Sequence, residues 1–206
     1  TVENNTWMGI FLYDSDNNTL INNVCRYNLG NPMQNAGIGI IIISSENNIL
    51  DNNKCENNSA GVFLRDSQNT TLTNNMFDNN KYGFTVSGLD LSHFIHSIDN
   101  SNLVNGKPIL YLVGENNIVI NQDNQVGSLA LVNSDNVRVE NLATEAILLA
   151  YSHNSLVKNN VLRGFFNSFS DNNSIENNIC ENGLIGVYLQ QSENLVLKNN
   201  IIQNNT

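Results

Sequence analysis

A three-residue phrase, Ser then an acidic or polar residue then Asn, recurs down this chain and leaves it little choice of fold. It stands at Ser15-Asp16-Asn17, Ser45-Glu46-Asn47, Ser67-Gln68-Asn69, Ser134-Asp135-Asn136, Ser152-His153-Asn154, Ser170-Asp171-Asn172 and Ser192-Glu193-Asn194, with Gly114-Glu115-Asn116 filling a further place and Gly88-Leu89-Asp90 a weaker one. Most spacings are about twenty residues, the period of a solenoid repeat. Ahead of each phrase runs a short apolar stretch with strand periodicity, as in Gly39-Ile40-Ile41-Ile42 and Gly61-Val62-Phe63-Leu64. A second Asn pair follows it (Asn22-Asn23, Asn52-Asn53, Asn74-Asn75, Asn159-Asn160, Asn177-Asn178, Asn199-Asn200), with one inward apolar residue between: Leu20, Leu50, Leu72, Val157, Ile175, Leu197. A third strand then carries Cys25, Cys55, Phe77, Leu162, Cys180 and Ile202.

Three short strands per repeat make one coil of an all-β, right-handed parallel β-helix, a solenoid of about nine coils. Asn accounts for 44 of the 206 residues, and the fold explains why. Asn tolerates the left-handed conformation of sharp corners, and stacked carboxamides satisfy one another's hydrogen bonds. The repeat predicts a single domain over 1–206, with insertions at about 28–37 and 88–114. No plug or charged cap is evident at either end, so the solenoid is expected to be open-ended or part of a longer one.

Charge narrows the partners. With 9 basic and 19 acidic residues the net charge is −10, which repels a phosphate backbone and sets nucleic acid aside. No apolar run is long enough for a membrane-spanning helix. The three Cys occupy the inward column where Phe77, Leu162 and Ile202 also stand, and are expected as free, buried thiols.

Several residue sets bear on chemistry. Glu56 and Asp78 should stack on adjacent coils, close enough for a glycosidase carboxylate pair, with Arg26 one coil above; the same arrangement is a charge ladder, and no catalytic site is assigned from it. Phe11, Phe63 and Tyr188 share one outward strand position and could stack on sugar rings. Asp16, Glu46, Glu115, Asp135, Asp171 and Glu193 fall at one corner, where calcium would find oxygen ligands; no other cofactor is required. His93 and His96 are the only pair placed to hold copper or zinc. Glycosylation acceptor triplets begin at Asn4, Asn17, Asn57, Asn69, Asn172 and Asn204.

The Asn-pair repeats, with Ile95-His96-Ser97-Ile98-Asp99 and Asn105-Gly106-Lys107-Pro108-Ile109, resemble the NosD-like family of parallel β-helix proteins, many of them archaeal surface proteins. The resemblance implies the fold across the whole chain. It implies function only broadly: the superfamily holds carbohydrate-binding modules and sugar hydrolases, and its namesake assists copper-site assembly. The expectation is therefore a non-catalytic, structural β-solenoid at the cell surface or outside the cell, associating with itself through its ends or with neighbouring domains. A carbohydrate-binding module or polysaccharide-degrading enzyme is the alternative, and a copper-handling accessory protein the third.

Overall fold

The computed structural model describes residues 1–30, 34 and 36–205, and divides into two compact units, Thr1–Ile109 and Leu110–Thr206. In the first, successive strands are dealt in turn to three parallel sheets. The long-strand sheet holds Met8–Tyr13, Ile38–Ile43, Ala60–Arg65 and Tyr82–Ser87. A second holds Thr19–Ile21, Ile49–Asp51, Thr71–Thr73 and Ser97–Ile98. The third holds Val2–Glu3, Val24–Arg26, Lys54–Glu56, Met76–Asp78 and Leu103–Val104. In these three sheets each strand pairs with its counterpart in the next coil, which is what defines a β-solenoid.

The second unit repeats the arrangement. Its sheets are Ser128–Val132, Ala146–Ala150, Gly164–Ser168 and Val187–Gln190; Val119–Ile120, Arg138–Glu140, Leu156–Lys158, Ser174–Glu176 and Val196–Lys198; and Val161–Leu162, Ile179–Glu181 and Ile201–Gln203.

The core is a set of columns. Leu20, Leu50, Leu72 and Ile98 stack in register and are buried, as are Cys25, Cys55, Phe77 and Val104. In the second unit Leu129, Ile147 and Phe165 form one buried column and Val139, Val157 and Ile175 another. Each such side chain contributes about 1.5–3 kcal/mol by leaving water, and each depends on the coils on either side to do so.

Asn makes the corners and then pairs them. The first Asn of each pair takes a left-handed φ (Asn17 57°, Asn52 52°, Asn57 55°, Asn177 54°), where most side chains cost about 1–2 kcal/mol. The second points inward and joins a ladder. Asn5, Asn28, Asn58 and Asn80 form one, and Asn23, Asn53, Asn75 and Asn102 another, with carboxamide-to-carboxamide distances of 2.8–3.1 Å. Asn160, Asn178 and Asn200 do the same in the second unit. Each Oδ1 inside the stack also accepts the main-chain N–H of the preceding ladder residue, and Nδ2 groups reach strand carbonyls, as Asn58 does to Cys25 and Asn178 to Val157. Serines of the repeated phrase form a parallel ladder: the N–H of Ser15 donates to Ser45 Oγ, and that of Ser152 to Ser170 Oγ.

Two departures from the sequence expectation have plain causes. The stretch 88–114 is not wholly an insertion, because Ser97–Ile98 and Leu103–Val104 continue the second and third sheets. What departs is a 3-10 turn at Leu91–Phe94 and a hairpin at Asn105-Gly106, both with positive φ, which pairs Val104 antiparallel to Lys107. The phrase at 114–116 is out of register by one residue. Gly114 takes the left-handed corner (φ 77°) that Asn133 takes a coil later, so Asn116, not Glu115, pairs with Asp135. The insertion at 28–37 lies partly outside the described residues.

Candidate functional site: columns on the solenoid faces

Alternation along the strands puts a second set of columns outside. On the first unit's long-strand sheet Phe11, Ile41, Phe63 and Thr85 stand in register, beside Tyr13, Ile43, Arg65 and Ser87, with Ile41 fully buried and Phe63 half-buried. Ile38, Ile41 and Ala60 form a small apolar cluster with Met8, Ile43 and Phe63 against it. Phe11 and Tyr13 are exposed, with ring centroids 6.0 Å apart. Tyr188 stands in the other unit, in register with Phe166, Leu148 and Ala130, so the fold places Phe11 and Phe63 in one column but brings Tyr188 into a different one.

Glu3, Arg26, Glu56 and Asp78 share an outward column of the third sheet. Glu56 lies 2.7 Å from Lys54 Nζ and 3.9 Å from Arg26, and Arg26 lies 2.6 Å from Glu3. Lys54, two residues before Glu56 on the same strand face, turns the carboxylate stack into an ion-pair ladder. A second ladder escaped the sequence altogether: Glu140, Lys158, Glu176 and Lys198 alternate in sign down one column of the second unit, with Lys158 Nζ 3.3 Å from Glu140. Solvent screening leaves such surface pairs little weight in stability.

The corner acids act mainly as acceptors for the next coil. Asp16 Oδ1 accepts the N–H of Glu46 at 2.7 Å, and Asp171 Oδ1 that of Glu193 at 2.7 Å. Glu46 accepts from the Gln68 carboxamide, and Asp135 from that of Asn154 at 2.8 Å. With Glu115 out of the column and His153 between Asp135 and Asp171, the six expected calcium ligands are not brought together. Among the described residues no three of His, Cys, Asp and Glu converge.

Both histidines of the copper or zinc pair are committed to the main chain. His93 Nδ1 accepts from the N–H of Leu89 at 3.2 Å and lies 3.8 Å from Asp66. His96 is buried in a ladder position: its Nδ1 accepts the Thr70 N–H at 3.2 Å, and its Nε2 lies 3.0 Å from the His93 carbonyl, which assigns the proton to Nε2. Burial lowers its pKa to about 4.

All six acceptor asparagines, Asn4, Asn17, Asn57, Asn69, Asn172 and Asn204, sit at left-handed corners, Asn57 half-buried and the others exposed. The three cysteines are free and buried. Burial pushes the Cys180 thiol up to about 11.

The family model described as a periplasmic copper-binding protein matches residues 1–105, just over half the chain. No curated protein matches it.

Proposed function

The chain belongs to the NosD family, and from that premise we propose that it is a non-catalytic, structural β-solenoid of the cell envelope or exterior that works by stacking coil on coil. One observation carries this. In the last described coil the inward Leu189, Leu197 and Ile202 are 44%, 44% and 51% exposed, although their register partners Asn167, Ile175 and Cys180 are buried core. That face is shaped for a further coil of the same repeat, supplied by this polypeptide or by another copy.

The 206-residue chain is expected to associate in a concentration-dependent way by light scattering, and the double change Leu197→Lys, Ile202→Lys to hold it monomeric. A wild-type chain that stays strictly monomeric at high concentration would overturn self-stacking. Glycan binding along Phe11 and Phe63 is the alternative that the outward apolar column supports, with a cell-surface polysaccharide as partner.

Copper handling is a second activity that the family description favours. The donors available to it are unequal. Both histidines of the first unit already serve the main chain, so a Cu(II) site built on imidazole fits poorly. Thiols fit Cu(I), the softer ion, and the matched segment contains two of the three, Cys25 and Cys55.

A further inference from the structure

Cys25 and Cys55 are register partners on the adjacent strands Val24–Arg26 and Lys54–Glu56. Both point into the core and both have no solvent exposure. One step of a parallel sheet separates their backbones by roughly 4.8 Å. The two Cα–Cβ bonds leave that sheet in parallel, so the sulfurs lie side by side. This is poor geometry for a disulfide, whose dihedral must be near 90°, and good geometry for one atom held between two sulfurs. Val2 stands in register with Cys25 on one side, and Phe77 with Cys55 on the other. The column therefore offers two sulfurs and closes with hydrocarbon, which leaves no place for a third protein ligand along it. A Cβ built at Gly39 would come within 3.0 Å of Cys55 Sγ, so glycine there keeps side-chain bulk away from the sulfur.

We propose that Cys25 and Cys55 form a two-coordinate thiolate site for one Cu(I) ion in the core of the first unit. This rests on the copper-handling reading above and names its ligands. Loading breaks two S–H bonds, forms two S–Cu bonds and releases two protons to solvent; copper enters and stays as Cu(I), so no oxidant or reductant is needed. The dry column then shields the ion from water and oxygen. Cys180 provides an internal contrast, because its column neighbours are Leu162 and Ile202 and it has no second thiol.

The test is anaerobic titration of the reduced, full chain with Cu(I) against a chromogenic Cu(I) chelator, with X-ray absorption on the loaded protein. The expected result is one Cu(I) per chain with two sulfur neighbours and no nitrogen, unchanged in Cys180→Ser. Affinity should fall at least about a hundredfold in Cys25→Val and in Cys55→Val, whose folding is checked by circular dichroism, valine being close to cysteine in size and apolar. If the folded double valine variant still binds one Cu(I) with full affinity, the site is elsewhere: the proposal fails and the copper reading stands. If the wild-type chain takes no Cu(I) from the chelator, both fail.

Discussion

Replacing Asn58 by Ala should destabilise the first unit by about 3–6 kcal/mol, a large share of the roughly 5–15 kcal/mol that holds a domain together. Asn58 is buried in the middle of its ladder. Its Oδ1 accepts from both the main-chain N–H and the Nδ2 of Asn28, at 3.0 and 2.9 Å, and its Nδ2 donates to the Cys25 carbonyl at 3.0 Å and to Asn80 at 3.1 Å. Alanine leaves two buried donors of Asn28 and the Cys25 carbonyl without those partners. The neighbour Asn57 supplies the contrast. Its φ of 55° is its contribution, not its side-chain bonding, so Asn57→Gly should leave stability nearly unchanged, and Asn57→Ala should cost about 1–2 kcal/mol. Denaturant midpoints of the three variants decide the matter. A shift for Asn58→Ala no larger than that for Asn57→Ala would mean that the ladder adds little.

That contrast also explains what could be read in the sequence. Asn at a left-handed corner followed by Asn in a ladder leaves an invariant two-letter mark, and the residues between marks alternate with the strand pleat, so Leu20, Leu50 and Leu72, or Val157, Ile175 and Leu197, could be assigned to one column each without coordinates. The mark fails where another residue fills the role. Gly114 supplied a corner and moved Glu115 out of its expected place. Asn167 takes an inward slot between Phe166 and Ser168, where its carboxamide bonds the Ser170 carbonyl, Ser192 and Asn173; a polar residue in an inward slot breaks the apolar alternation there. The hairpin at Asn105-Gly106 did carry a signal, since Asn-Gly is a strong two-residue turn, but it was embedded in what read as an insertion. For the site residues, stacking was legible and partnership was not. Glu56 over Asp78 follows from repeat spacing, whereas the ion pair with Lys54 depends on side-chain reach, which spacing does not encode.

His96 shows the same substitution with a consequence in solution: mild acid should weaken the first unit. Its imidazole fills a ladder slot as a neutral ring, accepting at Nδ1 from Thr70 and donating at Nε2 to the His93 carbonyl. Burial is what lowers its pKa from 6.5 to about 4. The unfolded chain therefore binds a proton at higher pH than the folded one. The stabilisation this group provides is fully present above pH 6.5, falls by up to about 1.4 kcal/mol per pH unit as pH drops towards 4, and totals roughly 3 kcal/mol. Below that pH the group contributes no further change. The charged ring would also turn an Nδ1–H towards the Thr70 N–H, setting donor against donor, and Thr70 Oγ1 is already a buried atom without a partner. In His96→Gln, a neutral carboxamide can accept the same N–H at any pH. Denaturant melts of the wild-type chain between pH 7 and 4 should thus lose stability with a slope that the variant lacks over the same interval. Equal slopes in the two proteins would remove His96 as the cause and shift the acid sensitivity to the carboxylates at the corners.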